Sequence, residues 1–213
     1  MLKLYGTPVS NYTNMVRTAM DEKGIEWEFV AAPPSQDDKF TALSPMGKVP
    51  YVEVEGGGLT ETSAILDYLE DLKPEPALLP SDPYGRAKVR ELCQAMELYV
   101  ELTARKGVGA LFGVEIPEHI KKGMRRDVPR GMKAVGQLTQ FSPWIAGDQF
   151  TYADLFGYYS FLLANNLYQA NCEMSIMDMI PGLQAWHDRV GERDSVKAAN
   201  ADMQKAREAM GAR

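Results

Sequence analysis

The first part of the chain alternates between two spacings of apolar residues. Residues 2–4 and 25–29 place apolar side chains at every second position, which predicts two strands. Between them, residues 16–20 carry apolar side chains at helical spacing, and Gly24 is a typical helix terminator. A proline-rich loop and a short helix over residues 39–43 follow.

Two more strands and a helix complete this part. Residues 52–55 alternate apolar and acidic side chains shortly after Pro50, and a glycine turn follows at residues 56–58. A last helix begins after Glu61. The predicted element order is therefore β-α-β-α-β-β-α over residues 1–75.

After residue 73 the proline content and the spacing of apolar residues change. Residues 73–85 hold four of the thirteen prolines and no periodic pattern, which predicts a linker at residues 76–84. Beyond it, apolar residues recur every three or four positions over residues 89–103, as in a long amphipathic helix. We predict an α/β N-terminal domain, residues 1–75, and an all-α helical-bundle domain, residues 85–213.

One motif of the helical part identifies a helix start. Thr151 and Asp154 have the spacing of a capping box ahead of an apolar run, so we interpret Asp154 as structural rather than catalytic. Near the end of the chain, a closing helix breaks at Gly191, and the pattern predicts only a short basic tail after it.

Composition narrows the classes of partner. The net charge of -6 and the pI near 5.1 argue against nucleic acid or an anionic membrane as the main partner. An anionic ligand would therefore need a local positive field. Neither a signal peptide nor a transmembrane run is evident, so we expect a cytoplasmic protein. Two distant cysteines and two histidines indicate no disulfide framework and no metal site.

Two neighbouring segments carry the strongest functional signal. In SPMGKVPYVEV, residues 44–54, the Val49-Pro50 bond precedes a strand and is of the only type for which a cis peptide is cheap. A cis bond there would let the Val49 backbone face outward. In LTETSAILDYLED, residues 59–71, Glu61 and Thr62 stand at a helix N-terminus. Together the segments predict a site for a small anionic peptide.

These two motifs resemble those of the cytosolic glutathione S-transferases, and the likeness covers nearly the whole chain. It implies a thioredoxin-like first domain, an all-helical second domain, glutathione as co-substrate, no metal, a role in detoxification and a homodimer. The string LYGTPVSNYTNMVR resembles the serine-type classes, phi and theta in particular, in a bacterial-style member. The Cys-x-x-Cys of thioredoxins is replaced here by residues 10–13, Ser-Asn-Tyr-Thr, so dithiol exchange is excluded.

The resemblance makes Ser10 the candidate catalytic residue. Its hydroxyl group would hydrogen-bond the glutathione thiolate and lower the thiol pKa from about 8.5 toward neutrality. The alternative is that Ser10 is only a helix N-cap. Tyr5, at the end of the first strand, and Tyr12, in the same loop, are the competing hydroxyl groups, in that order.

The resemblance also implies the glutathione contacts. Val49, before Pro50, would pair its backbone with the cysteinyl unit, Glu61 would hold the γ-glutamyl ammonium, and Thr62 would take the α-carboxylate. Lys48 would meet the glycyl carboxylate, and Lys39 would reach the same end. A simpler interpretation remains for Glu61, as a favourable first-turn acid, and for Lys48, as a solvated charge.

A pocket for a hydrophobic electrophile would lie between the domains. Apolar and methionine-rich walls suit varied hydrophobic substrates, although each such residue is also a candidate for ordinary core. The predicted lining is Val9, Tyr12, Met96, Tyr99, Thr103 and Phe112.

The leading interpretation is an enzyme that conjugates glutathione to electrophiles. Glutathione-dependent peroxide reduction, isomerisation or dehalogenation at the same site are enzymatic alternatives. A non-catalytic binding or interaction module on the same fold is an alternative from another class.

Overall fold

The computed structural model describes residues 1–211. Residues 1–78 and 192–211 form one compact unit, and residues 79–191 form a second. Strands and helices of the first unit follow the predicted order, so the predicted α/β fold class is confirmed. They are β1 (Leu2–Gly6), α1 (Asn11–Glu22), β2 (Trp27–Ala31), α2 (Asp38–Thr41), β3 (Tyr51–Val54), β4 (Gly57–Leu59) and α3 (Thr62–Leu72).

The four strands form one mixed sheet in the order β2-β1-β3-β4. β1 runs parallel to β2 and antiparallel to β3, and β3 pairs antiparallel with β4. Leu4 and Val52 oppose each other in the β1–β3 register and are fully buried. The apolar faces of α1 and α3, which include the buried Val16 and Ile65, complete this core.

A buried ion pair holds the end of α1 to α3 and to the chain that follows. Lys23 Nζ lies 2.7 Å from Glu70 Oε2, and the two side chains are 1% and 5% exposed. Lys23 also donates to the Pro76 carbonyl oxygen at 2.8 Å, and the Leu78 N–H donates to the Glu70 carboxylate. Each buried charge therefore has partners on two segments, as burial requires.

The second unit is helical, as predicted. Its elements are α4 (Pro83–Ala95), a π-helix (Met96–Glu101), α5 (Leu102–Arg105), a 3-10 helix (Val108–Phe112), α6 (Glu118–Gly136), α7 (Tyr152–Cys172) and α8 (Leu183–Gly191). The π-helix continues the long predicted helix but changes its period. A Cβ on Gly131 of α6 would lie 2.3 Å from the Tyr99 carbonyl oxygen, so only glycine permits this close approach.

Asp154 organises the start of α7. Its Oδ2 accepts the Thr151 N–H at 2.9 Å, completing the capping box with Thr151. Its Oδ1 accepts the Ile145 N–H at 2.8 Å and the Trp186 indole N–H at 2.7 Å. The carboxylate thus joins the preceding loop, α7 and α8, and the structural interpretation of Asp154 agrees with these bonds.

The prediction of a short basic tail after Gly191 is wrong. Residues Asp194–Gly211 form an 18-residue helix, α9, which packs on α1 in the first unit. Arg17 pairs with Asp202 at 2.9 Å, and Arg193 and Ser195 both bind Glu22. The side chains that hold α9 in place bond to residues about 170–185 positions earlier in the chain. A local sequence pattern does not reveal such partners.

We expect Asp154→Ala to lower the free energy of unfolding by about 2–4 kcal/mol, because it leaves the buried N–H groups of Ile145 and Trp186 without an acceptor. Urea unfolding followed by circular dichroism measures the change. Asp148→Ala, at an exposed carboxylate of the preceding loop, is the control and should cost under about 0.5 kcal/mol. Equal losses for the two variants would contradict the organising role of Asp154.

Candidate functional site

Strand register brings three candidate segments to one end of the sheet. Tyr5 opposes Tyr51, so the loop that follows β1 and the Val49-Pro50 bond that precedes β3 leave the sheet at the same end. Leu59 opposes Val52, so the chain that continues from β4 to Glu61 reaches that end as well. The chain segments that carry Ser10, Val49 and Glu61 therefore lie at the same end of the sheet.

Ser10 is the N-cap of α1. Its Oγ accepts the Thr13 N–H at 3.2 Å, and its own N–H donates to the Thr7 carbonyl oxygen at 3.1 Å. The side chain is partly exposed. A hydroxyl group has one proton to donate and two lone pairs to accept with, and the cap uses only a lone pair. Capping and donation to a thiolate are therefore compatible roles for Ser10.

The hydroxyl group of Tyr5 already donates a hydrogen bond to a side chain of the sheet. It donates to Glu53 Oε2 at 2.7 Å, and the Tyr5 ring stacks on Tyr51 with centroids 4.3 Å apart. The hydrogen bond to Glu53, with burial and the carboxylate charge, raises the pKa of Tyr5 to about 12. Lys3 pairs with the same carboxylate at 3.3 Å. Tyr5 is thus part of a cross-strand network, whereas Tyr12 lies part-buried in the first turn of α1.

The Val49-Pro50 peptide is cis, as expected. Within residues 1–211, the Val49 backbone takes part in no hydrogen bond, so both its polar groups are open to a ligand. The loop before it is held in place: Ser44 Oγ donates to the Lys48 carbonyl oxygen at 2.8 Å, and Ser35 N–H donates to the Gly47 carbonyl oxygen at 3.1 Å. Gly47 has a φ of 64°, which favours glycine.

Glu61 has an unusual backbone at the start of α3. Its φ of 65° and ψ of 117° are rarely adopted by a residue with a side chain, and such conformations cost about 1–3 kcal/mol. Its side chain is exposed and makes no capping hydrogen bond. Thr62, the first helical residue, is 8% exposed. The sequence pattern places this pair at a helix start but carries no signal for the strained backbone of Glu61.

Lys39 and Lys48 are exposed, and neither ammonium group has a carboxylate partner within the described residues. Residues 1–78 contain thirteen acidic and six basic side chains. Of the basic ones, Lys23 and Arg17 are held in ion pairs with Glu70 and Asp202. Within residues 1–78, Lys39 and Lys48 are therefore among the basic side chains whose charge no ion pair offsets.

The proposed electrophile contacts differ in exposure. In the first unit, Val9 and Tyr12 are part-buried. In the second unit, Met96 and Thr103 are buried, whereas Tyr99 and Phe112 are 55% and 69% exposed.

The π-helix accounts for the exposure of Tyr99. A π-helical turn is wider than an α-helical turn, so Val100 rather than Tyr99 follows Met96 into the core. The regular helical period that grouped Tyr99 with Met96 does not hold there.

No group of three or more potential metal-binding side chains occurs among residues 1–211. In the same stretch, none of the helices combines the length and the apolar character needed to cross a membrane.

Models of the glutathione S-transferase N-terminal and C-terminal domains match residues 4–77 and 114–202. A glutathione S-transferase from Pseudomonas putida is 40% identical over 203 residues, covering 95% of this chain and 92% of that protein. The crystal structure of a glutathione S-transferase from Rhodospirillum rubrum F11 is 25% identical, with coverage of 93% and 91% and a TM-score of 0.77. That of a maleylacetoacetate isomerase from Anaeromyxobacter dehalogenans, with glutathione in its active site, is 26% identical, with coverage of 93% and 94% and a TM-score of 0.74.

The sheet, the cis-proline loop and the helix N-termini at one sheet edge define a thioredoxin-like domain, here joined to a helical one. With the 40% identity over nearly the whole length, the chain belongs to the glutathione S-transferase family.

We expect Tyr5→Phe to retain most of the transferase activity, because the Tyr5 proton is already donated to Glu53. Loss of a donor that stabilises a reacting anion costs roughly 100-fold or more in turnover. Turnover of glutathione with a model aryl halide measures the effect, and a 100-fold loss would identify Tyr5 as the thiolate partner. Stability should fall by about 1 kcal/mol, as for one lost hydrogen bond.

Proposed function

We propose that this protein conjugates glutathione to hydrophobic electrophiles and that the Ser10 hydroxyl group stabilises the glutathione thiolate. The observation that carries the proposal is that the segments of Ser10, Val49 and Glu61 lie at the same end of the sheet. The glutathione bound to the related isomerase supports the choice of ligand.

Each part of glutathione has a candidate partner of matching chemistry. The Val49 backbone pairs with the cysteinyl unit, and the Glu61 carboxylate holds the γ-glutamyl ammonium. Thr62 and the free N–H groups at the start of α3 take the α-carboxylate, because a helix N-terminus favours an anion. Lys48 and Lys39 are exposed and can reach the glycyl carboxylate.

Conjugation requires that the glutathione thiol be ionised to a thiolate. The glutathione thiol releases its proton to solvent, and the Ser10 O–H together with the N-terminus of α1 stabilises the charge on sulfur. The sulfur then donates its electron pair to the electrophilic carbon, the C–S bond forms, and the leaving group departs with the bonding pair.

Isomerisation is a second candidate, favoured by the likeness to a maleylacetoacetate isomerase. A thiolate that adds to an activated double bond and leaves after rotation about the new single bond returns glutathione unchanged. The same Ser10 would serve this reaction. Aryl halides and cis-alkene diacids tested side by side separate the two, because only conjugation consumes glutathione.

We expect Ser10→Ala to lower turnover with a model aryl halide by roughly 100-fold while affecting glutathione binding far less. Because Ser10→Ala also removes a helix cap, it should cost about 1 kcal/mol of stability.

Two further variants separate the cap from the thiolate contact. Ser10→Thr keeps both the cap and the donor, whereas Ser10→Asp keeps the cap and lacks the donor. We expect activity in the threonine variant and a loss in the aspartate variant. Wild-type turnover in Ser10→Asp would show that Ser10 serves only as a cap.

We also propose that the protein forms a homodimer, in which a partner's acidic first unit meets the basic face of α6. α6 carries six basic and two acidic side chains in a chain of net charge -6. Lys122 and Arg130 lie two turns apart on one face of α6, and both side chains are exposed. Charge complementarity of this kind favours association between copies.

Light scattering at low and high salt tests the dimer. We expect a dimer that weakens with salt, and the double variant Lys122→Glu/Arg130→Glu should weaken it by about tenfold or more, since like charges would then face each other. Arg207→Glu, an exposed reversal on α9, is the control. A monomer under all conditions would refute the dimer, and a dimer unaffected by the double variant would place the interface elsewhere.

A further inference from the structure

Asn14 is a buried amide one helical turn after Ser10. Its side chain is fully buried, and its Nδ2 donates to the Pro8 carbonyl oxygen at 2.9 Å. Its backbone N–H donates to the Ser10 carbonyl oxygen at 3.0 Å. Asn14 therefore contacts the loop on both sides of Val9 and holds the chain that leads into Ser10.

The rest of this loop is held by short-range contacts. The Ser10 N–H closes a turn on the Thr7 carbonyl oxygen at 3.1 Å. Gly6 packs so closely on Thr13 that an added Cβ would lie 2.5 Å from the threonine side chain. Asn14 contributes the one side-chain hydrogen bond to a backbone group of residues 7–9 within the described chain.

Burial of Asn14 is completed by α9. Met203 Sδ lies 3.9 Å from Asn14 Nδ2, and Met203 is 6% exposed. The pair of Arg17 with Asp202 holds α9 against α1 one turn further along. The loop before Ser10 is thus supported, through Asn14, by the last helix of the chain.

The environment of Asn14 is costly for an amide. Asn14 Oδ1 is buried and has no hydrogen-bond partner among residues 1–211. An unsatisfied buried acceptor is destabilising, and an apolar side chain of the same size would avoid that penalty. What an apolar side chain would not provide is the hydrogen bond to Pro8.

We propose that Asn14 is a positioning residue that sets the place of the Ser10 hydroxyl group at the glutathione thiolate. This inference rests on the proposed function of Ser10. Loss of the bond to Pro8 would let residues 7–10 shift, and a displacement of about 1 Å at a reacting group is enough to lower turnover by up to 100-fold. The effect would appear in thiol ionisation and turnover rather than in glutathione affinity.

Two variants and a matched control test the proposal. Asn14→Leu keeps the volume but removes the donor, and Asn14→Ser is a smaller change that keeps a polar group too short to reach Pro8. Thr18→Val is the control, because Thr18 is fully buried one turn further on in α1 and bonds only helix carbonyl groups. Ultraviolet titration of the bound thiolate gives the thiol pKa, and steady-state kinetics give kcat and KM.

We expect both Asn14 variants to raise the thiol pKa by about one unit. At a pH below the thiol pKa, this shift lowers the thiolate fraction about tenfold, so kcat should also fall about tenfold. KM for glutathione should change little, and Thr18→Val should leave the thiol pKa unchanged. In the double variant Ser10→Ala/Asn14→Leu, kcat should be no lower than in Ser10→Ala, because Asn14 acts through Ser10.

The possible failures are distinct. If both Asn14 variants match Thr18→Val while Ser10→Ala raises the thiol pKa, the positioning role is wrong and the role of Ser10 stands. If Ser10→Ala itself leaves the thiol pKa and kcat unchanged, both proposals are wrong. Additive losses in the double variant would show that Asn14 does not act through Ser10.

Discussion

An acidic protein can bind an anionic peptide only if it supplies positive potential locally. Residues 1–78 hold thirteen acidic and six basic side chains, so their net field repels an anion. The N-termini of α1 and α3 offset this field at short range, because the positive end of a helix dipole acts on a ligand in contact and little beyond it. Strand register places both helix starts at one end of the sheet, and the site depends on that placement.

Local sequence patterns were sufficient to predict a feature wherever the residues that determine it are close in sequence. The β-α-β-α-β-β-α order, the cis bond before Pro50 and the capping box of Thr151 and Asp154 are all of this kind. Helix α9 is different, because its pairs with Arg17 and Glu22 are remote in sequence. The π-helix at Met96–Glu101 is also invisible to an α-helical period, and it moves Tyr99 to the surface.

The family resemblance ranks Ser10 above Tyr5, and the structure adds the hydrogen bonds that each hydroxyl group makes. A sequence shows that Tyr5 and Ser10 carry hydroxyl groups but not where their protons go. Glu53, 48 residues from Tyr5, accepts the hydrogen bond of the tyrosine hydroxyl group, and this bond raises the pKa of the phenol to about 12. Ser10 accepts from Thr13 and keeps its proton available. The ranking of the two residues therefore has a physical basis in hydrogen-bond direction.

The cap and the proposed catalytic role of Ser10 are parts of one arrangement. Capping by Thr13 N–H holds Oγ at the helix start, where the field of α1 also favours a thiolate. A catalytic hydroxyl group must also be fixed relative to its target, and the loop before Ser10 has little side-chain support of its own. Asn14 supplies that support from inside α1 at the cost of an unsatisfied oxygen atom, and α9 seals it from water. The unsatisfied oxygen atom of Asn14 and its hydrogen bond to Pro8 together favour a positioning role for this buried amide.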